Sequence, residues 1–143
     1  MTKRINDIIE ALALYDSFII DVYGVLHDGI DKYHNVERTI EFLEKHNKNY
    51  VFLSNAPRPS DVLYRKLQEL ELSVPEDKIV TSGRFFIDKF KNDKIYSEAK
   101  YFILGEEYNA DLLRDLKVNR TNKIEEADFI LSLMFTEDEK AIS

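Results

Sequence analysis

The sequence predicts an α/β fold built on a parallel sheet. Two short apolar runs, Phe18–Ile20 and Tyr50–Leu53, have the length of buried strands and end in polar residues. Between them, apolar residues recur at helical spacing over 35–46. Since parallel strands need a long connection, the order strand, helix, strand indicates a right-handed parallel crossover.

The first strand carries the most informative residue. The stretch 18–26 is apolar except at Asp21, Tyr23 and Gly24, without regular polar alternation, so we expect a strand buried on both faces. Asp21 then lies at the carboxyl end of the strand, where open α/β sheets bind their ligands. A carboxylate there needs a partner, such as a metal ion or a phosphate beside a metal. The simpler alternative is that Asp21 only begins a turn.

The second strand ends in Ser54 and Asn55. Because the carboxyl ends of parallel strands meet at one sheet edge, we expect these residues beside Asp21. The hydroxyl, the side-chain amide and the backbone N–H groups of the following loop would form a small anion site. A helix-capping loop before Pro57 is the alternative. Arg58 is a candidate for binding a substrate anion, although a structural role is at least as common.

The remaining elements follow from periodicity and turn signals. Asn35 is a candidate N-cap, and Ser82 could cap a helix that follows Thr81. His27 and Asp28 are expected on the surface of the turn after the first strand. An aromatic cluster is expected in the core, formed by Phe85, Phe86 and Phe90. We predict further helices over 3–15, 60–70 and 106–116, and further strands at 79–81, 101–104 and 128–131.

Composition excludes several classes of protein. The 143 residues carry a net charge of −7, which disfavours a nucleic-acid-binding surface. The absence of cysteine excludes disulfides and thiolate metal sites, and the three histidines lack metal-ligand spacing. We see neither an apolar signal sequence nor a run long enough to cross a membrane, so the expected location is the cytoplasm.

Two motifs resemble those of a known family. The sequence Asp-Val-Tyr-Gly-Val-Leu-His-Asp-Gly at 21–29 is similar to the first motif of the haloacid dehalogenase (HAD) superfamily, and Leu-Ser-Asn-Ala at 53–56 is similar to its second. The glycine pattern resembles the class IIA branch, which contains NagD and 4-nitrophenylphosphatase. The resemblance implies the N-terminal part of a Rossmann-like HAD core over 1–81. It also implies part of an inserted α/β cap over 82–143, entered at Thr81-Ser82-Gly83.

The resemblance also implies a function. HAD phosphatases cleave phosphate esters through an aspartyl-phosphate, so Asp21 is the expected nucleophile. Mg²⁺ is the implied cofactor, with the Asp21 carboxylate and the Tyr23 backbone carbonyl as ligands. Ser54 and Asn55 would hold the phosphate, with Arg58 as a further candidate for substrate binding. The implied substrate is a small phosphorylated metabolite.

The sequence departs from the family in two ways. Tyr23 stands where the family has an aspartate that acts as acid and base. The later lysine and acidic metal-binding motifs are not found, and Lys140 lies in an acidic stretch typical of solvated surface. We therefore expect half of an enzyme with an exposed sheet edge, which associates with itself or with a complementing C-terminal chain.

Three alternatives stay open. The first is a non-catalytic module that binds phosphate or a partner protein. The second is the inert product of a split gene. A receiver-like signalling domain ranks last, because that class needs acidic residues on later strands that this sequence lacks.

Overall fold

The computed structural model describes residues 8–105 and 110–133, which divide into two compact units. The first unit combines the residues up to Ser54 with 61–80, and the second combines 55–60 with the residues from Thr81 onward. Each unit contains a three-stranded sheet with parallel pairing. The predicted α/β fold class is therefore confirmed. No helix in the described ranges is long and apolar enough to cross a membrane.

The first sheet has the strand order β1-β2-β3. Strands β1 and β2 are parallel, in a register that runs from Ser17 opposite Asn49 to Asp21 opposite Leu53. The core of this unit includes the fully buried side chains of Leu43, Phe52, Leu67 and Leu72. Its elements are α1 (Ile8–Leu12), β1 (Ser17–Asp21), α2 (Val36–Lys45), β2 (Asn49–Ser54), α3 (Ser60–Glu69) and β3 (Ile79–Thr81).

Strand β1 is not buried on both faces, so that prediction is wrong. Its residues alternate between more and less exposed positions, and the Ile19 side chain is 75% exposed. Leu53 on the neighbouring strand is also exposed. Side chains point above and below a sheet, so the exposure of Ile19 and Leu53 means that no described element covers this face of the two strands. Among the described residues, β1 is an edge strand, and Ile19 and Leu53 lie on an exposed apolar face; the self-association expected from such a surface stays a prediction.

The helix ends of the first unit use left-handed residues other than glycine. Helix α3 is followed by Glu71 at φ 57°, and the Leu72 N–H donates to the Leu67 carbonyl at 2.9 Å. Helix α2 is followed by Asn47 at φ 49°. Asn35 occupies the N-cap position of α2 as predicted, but its φ is 67° and its side chain makes no capping hydrogen bond.

The second unit is built around a second parallel sheet with the order β5-β4-β6. Tyr101 on the central strand is buried among the rings of Phe86, Phe90 and Phe129. The elements are α4 (Ser82–Asn92), α5 (Lys94–Ser97), β4 (Lys100–Leu104), β5 (Asn119–Arg120) and β6 (Phe129–Ser132), with 3₁₀ turns at Ala110–Leu112 and Ile124–Glu126.

Two predictions for this unit need correction, and one strand was missed. Phe85 is 61% exposed rather than buried, because consecutive helical residues point about 100° apart and Phe86 takes the inner position. The helix expected over 106–116 is a 3₁₀ turn at Ala110–Leu112 where it is described; residues 106–109 lie outside the described residues. Strand β5 was not predicted, since two polar residues carry no strand periodicity. Lys140 also lies outside the described residues.

Candidate functional site

The predicted nucleophile and one predicted phosphate ligand lie at neighbouring strand ends. Asp21 is the last residue of β1, and Ser54 is the last residue of β2. The register places Asp21 opposite Leu53, so Ser54 is one residue beyond the position beside Asp21. Asn55 follows Ser54 in the chain, and it belongs with Arg58 to the second unit. The structure therefore brings Asp21 and Ser54 to the same edge of one sheet.

The Asp21 carboxylate is exposed and is held at one oxygen. Its Oδ1 accepts a hydrogen bond from the Val22 N–H at 2.8 Å, the only hydrogen bond of this side chain to a described residue. The N–H orients the carboxylate and leaves Oδ2 without a partner among the described residues. An exposed carboxylate with one fixed and one open oxygen can act as a nucleophile or as a metal ligand.

A tight turn follows Asp21. The Leu26 N–H donates to the Val22 carbonyl, and the Gly24 N–H donates to the His27 carbonyl, both at 2.8 Å. Gly24 has φ 80°, a left-handed conformation that other residues adopt only with strain. The Tyr23 side chain is 66% exposed, so it is not part of the core. The turn fixes the backbone on both sides of Tyr23, whose carbonyl is the predicted metal ligand.

His27 is buried, which corrects the expectation that it lies on the surface of this turn. Its side chain is 6% exposed, and Nδ1 accepts a hydrogen bond from the Gly29 N–H at 2.9 Å. Nε2 is buried without a partner among the described residues. Burial lowers the pKa of His27 below its ordinary value and the charge of Lys66 lowers it further, while Asp28 opposes the shift. Asp28 itself is exposed, as expected.

The start of α4 holds the loop that follows Ser54. Thr81 is the N-cap of this helix, since its Oγ1 accepts a hydrogen bond from the Arg84 N–H at 3.0 Å. The same hydroxyl donates to the Arg58 carbonyl at 2.5 Å. Ser82 was a candidate for the cap, but it is the first helical residue and its hydroxyl contacts the loop instead. The sequence analysis did not predict that Thr81 and Ser82 hold the loop after Ser54. The signal that could have indicated it is two hydroxyl side chains followed by the small residue Gly83.

The described residues do not contain a complete magnesium site. Within 8–105 and 110–133, no group of three histidine or carboxylate side chains converges in a way that could hold a metal ion. Magnesium is commonly bound by one or two carboxylates together with phosphate oxygens and water. Asp21 and the Tyr23 carbonyl would provide part of such a shell, so these residues alone do not fit a self-contained site.

A separate cavity of about 240 Å³ opens in the first unit. Its walls are largely apolar and include Ile20, Leu26, Val36 and Phe52. None of the predicted site residues lines it. The cavity is therefore separate from the residues that were predicted to form the site.

A match to a family model shows the family to which this chain belongs. Residues 18–119 match the model of the haloacid dehalogenase-like hydrolases, a range that includes Asp21, Ser54 and Asn55. The chain belongs to this family. The resemblance proposed from the motifs at 21–29 and 53–56 is thereby confirmed, whereas the roles of individual residues stay predictions.

Individual relatives agree with this membership. Over 118 residues, or 82% of the chain, the sequence is 25% identical to the chloroplastic phosphoglycolate phosphatase 1A of Arabidopsis thaliana. The p-nitrophenyl phosphatase of Archaeoglobus fulgidus is 25% identical, with a TM-score of 0.61 over 80% of this chain. The glycerol phosphate phosphatase of Mycobacterium tuberculosis, solved in complex with magnesium, is 18% identical, with a TM-score of 0.61 over 87% of this chain.

The relatives are much longer than this chain. The match covers 32% of the Arabidopsis protein, 43% of the Archaeoglobus structure and 38% of the Mycobacterium structure. The activities named for these relatives therefore belong to proteins that are much longer than this chain.

Proposed function

We propose that this chain provides the nucleophile and phosphate-binding half of a phosphatase that acts on small phosphate esters. The observation that carries the proposal is the position of Asp21 and Ser54 at paired strand ends, inside the region that matches the haloacid dehalogenase-like hydrolases. The names of the three relatives, all phosphatases, support the same reaction class.

In the proposed reaction, a carboxylate oxygen of Asp21 attacks phosphorus in line with the ester oxygen. The new bond joins Asp21 to phosphorus, and the bond between phosphorus and the ester oxygen breaks. Water then attacks phosphorus and the bond between Asp21 and phosphorus breaks, which releases inorganic phosphate and regenerates the carboxylate. The proton that water gives up neutralises the leaving oxygen released in the first step. The Val22 N–H holds Oδ1 at 2.8 Å, so we assign Oδ2 as the attacking oxygen.

Tyr23 bears on the choice of substrate. A tyrosine is ordinarily a far weaker acid than the aspartic acid found at this position in the family. Protonation of the leaving oxygen by this residue would be inefficient, and general acid catalysis typically contributes roughly 10²–10⁴-fold. We therefore expect a preference for esters whose leaving group needs little protonation, such as aryl phosphates.

The phosphate would be held by the end of β2 and the loop that follows it. Ser54 is buried and Asn55 is exposed, and we assign both to phosphate binding. Arg58 is half-buried, and its backbone carbonyl is fixed by Thr81, so it is a candidate for binding the remainder of the substrate. Hydroxyl, amide and guanidinium donors all stabilise the charge of a transferring phosphoryl group.

Magnesium is the proposed cofactor, as in the magnesium complex of the Mycobacterium phosphatase. When bound, it would neutralise charge on the phosphoryl oxygens. Asp21 and the Tyr23 carbonyl would supply two ligands. We propose that the remaining carboxylates come from additional polypeptide that docks on the exposed side of β1, where Ile19 and Leu53 present apolar surface. A complementing C-terminal segment or chain fits this role, and self-association is the competing arrangement. We propose the cytoplasm as the location of the protein.

The test combines a catalytic and a binding measurement on the 143-residue chain. Release of phosphate from p-nitrophenyl phosphate is measured with magnesium for the wild type, Asp21→Asn and the surface control Asp16→Asn. Binding of inorganic phosphate is followed by NMR at the Ser54 amide. Turnover that Asp21→Asn abolishes and Asp16→Asn preserves supports the phosphatase.

Two other outcomes decide against it. Because the proposed metal site is completed by additional polypeptide, absence of turnover alone does not decide. Phosphate binding at Ser54 with neither turnover nor covalent phosphorylation of Asp21 by a reactive phosphate donor favours the non-catalytic phosphate-binding module. If phosphate does not perturb Ser54 at millimolar concentration and no ester is cleaved, both functions are refuted.

A further inference from the structure

The side chain of Tyr23 lies on the same face of the chain as the Asp21 carboxylate. Exposure alternates along residues 17–23, and the buried Val22 separates the exposed Asp21 from the exposed Tyr23. The strand-like geometry continues beyond β1, because Tyr23 forms a β-bridge with His27. Alternate side chains of an extended chain share a face and are about 7 Å apart along it. The Tyr23 ring is therefore a neighbour of the proposed nucleophile.

The Tyr23 ring is supported by the turn that follows it. It meets the buried His27 imidazole nearly at a right angle, with the ring centroids 5.9 Å apart and the planes at 88°. Its Cε2 also lies over Gly29, where an added β-carbon would be only 3.3 Å away. Since the Gly29 N–H donates to His27 Nδ1, both supports of the ring belong to one hydrogen-bonded turn. These contacts hold the ring and leave the side chain 66% exposed.

An exposed ring that is already held in place suits the recognition of a planar ligand group. Aromatic rings attract one another in offset-stacked and edge-to-face arrangements. Packing a ligand against a mobile side chain costs the rotamer freedom of that side chain, and a side chain held beforehand loses less. Tyr23 therefore offers a preformed contact surface beside Asp21, which a short carboxylate at the same position would not.

We propose that Tyr23 is a specificity-determining residue whose ring packs against the aromatic group of an aryl phosphate ester. This inference rests on the proposed function, because the ring is reached only when the phosphate group is bound beside Asp21. Leaving-group acidity favours aryl esters in the chemical step, whereas packing against the ring favours them in binding. The binding preference therefore extends to aromatic compounds whose bond to phosphorus is not hydrolysed.

The experiment compares phenylphosphonate with methylphosphonate, two phosphate analogues in which a carbon–phosphorus bond prevents hydrolysis. Each compound is titrated into the ¹⁵N-labelled 143-residue chain with magnesium, at a pH at which both are dianions. The amide signal of Ser54 reports binding of the phosphonate group. The amide signals of Gly24 and Gly29 report contact with the Tyr23 ring, and each titration gives a dissociation constant.

The variants separate the ring from the other properties of tyrosine. Tyr23→Phe keeps the ring and removes the hydroxyl, whereas Tyr23→Leu keeps apolar bulk without a ring. Both keep the backbone carbonyl that is the predicted metal ligand. Tyr15→Leu is the matched control, because Tyr15 is an exposed tyrosine that precedes β1, at the end of the strand opposite Asp21. The free energy of unfolding of each variant is measured in parallel.

Phenylphosphonate should bind about fivefold more tightly than methylphosphonate to the wild type, to Tyr23→Phe and to Tyr15→Leu. In Tyr23→Leu the ratio should fall below about twofold, with the affinity for methylphosphonate unchanged. Equal affinities in the wild type would overturn the role of the ring while the proposed function stands. A preference that survives in Tyr23→Leu, or is lost in Tyr23→Phe, would overturn it in the same way.

The apolar cavity of the first unit is the competing site for the phenyl group. If phenylphosphonate perturbs the amide signals of Ile40 and Phe52 in the cavity wall rather than that of Gly29, the Tyr23 ring is not the contact surface and this inference fails. If neither compound perturbs Ser54, the proposed phosphate site fails, and the inference fails with it.

Discussion

Gly83 lies so close to the backbone of Arg58 that a β-carbon at this position would overlap it. A methyl group there would be 2.5 Å from the Arg58 carbonyl carbon and 2.6 Å from its nitrogen. Both distances are shorter than real β-carbon contacts, and the neighbour is backbone that cannot rotate away. Gly83 is therefore required for the loop to pack on the first turn of α4.

Gly83→Ala should destabilise the protein by about 1–3 kcal/mol, the usual cost of overpacking. The sign is diagnostic, because replacing glycine by alanine inside a helix ordinarily stabilises it by about 1 kcal/mol. The free energy of unfolding from urea titration measures the effect. Lys91→Ala, at an exposed position of the same helix, is the control and should change little. A stabilising Gly83→Ala would mean that the loop does not pack against this helix.

The buried imidazole of His27 should make stability depend on pH. Its pKa is lowered in the folded state, mainly by burial. The unfolded chain therefore binds the proton more readily, and stability is lost as the pH falls through the ordinary value of 6.5 toward the lower folded value. The lost stability includes the hydrogen bond from the Gly29 N–H, because a protonated Nδ1 cannot accept it.

Urea titrations between pH 8 and pH 5 test this expectation. His27→Asn keeps an acceptor for the Gly29 N–H and cannot titrate, so its stability should fall less steeply below pH 6.5. His34→Asn, at an exposed position, reports the effect of removing an imidazole from the surface. Equal slopes for the wild type and His27→Asn would show that His27 is not the group responsible.

The placement of the site was more predictable than the burial around it. Asp21 and Ser54 were assigned correctly to neighbouring strand ends, because chain order and short apolar runs determine a parallel crossover. The exposure of Ile19 was not predictable from its strand, since burial of a strand face depends on which elements cover it.

Other predictions failed because two adjacent residues were equally suited to the same role. Thr81 and Ser82 are both good capping residues, so the sequence alone does not decide which one precedes the helix. Phe85 and Phe86 are adjacent and equally apolar, and only the direction of the helix axis decides that Phe86 packs inward. His27 is buried within the turn that follows β1, and the residues of this turn show no sequence pattern that indicates burial.

The two isoleucines of β1 should respond differently to the same substitution. Ile19 is 75% exposed, whereas Ile20 packs against the core of the first unit. Threonine keeps the β-branched shape that strands favour, so Ile19→Thr should change the free energy of unfolding by less than about 0.5 kcal/mol. Ile20→Thr should cost about 1–2 kcal/mol, through lost apolar burial.

Binding of an apolar dye and the oligomeric state provide a second comparison of Ile19→Thr with Ile20→Thr. Ile19→Thr should reduce dye binding and any self-association, because it removes apolar area from the open side of β1. If Ile19→Thr is as destabilising as Ile20→Thr, then in solution something covers this face, and sedimentation would identify whether a second copy does so.

Glu71 provides a test of backbone strain with an internal control. It follows α3 at φ 57°, a conformation that costs residues other than glycine roughly 1–2 kcal/mol. Its carboxylate also lies 3.4 Å from Lys32 Nζ, but the Glu71 side chain is 87% exposed, so this ion pair contributes little.

Glu71→Gly and Glu71→Ala both remove the ion pair, and only the glycine relieves the strain. The glycine variant should therefore be more stable than the alanine variant by about 1 kcal/mol in urea titrations, after the greater freedom of glycine in the unfolded chain is subtracted. Equal stability of the two variants would mean that Glu71 leaves the left-handed conformation in solution, and α3 would then lack the hydrogen bond from Leu72 to Leu67 that ends it.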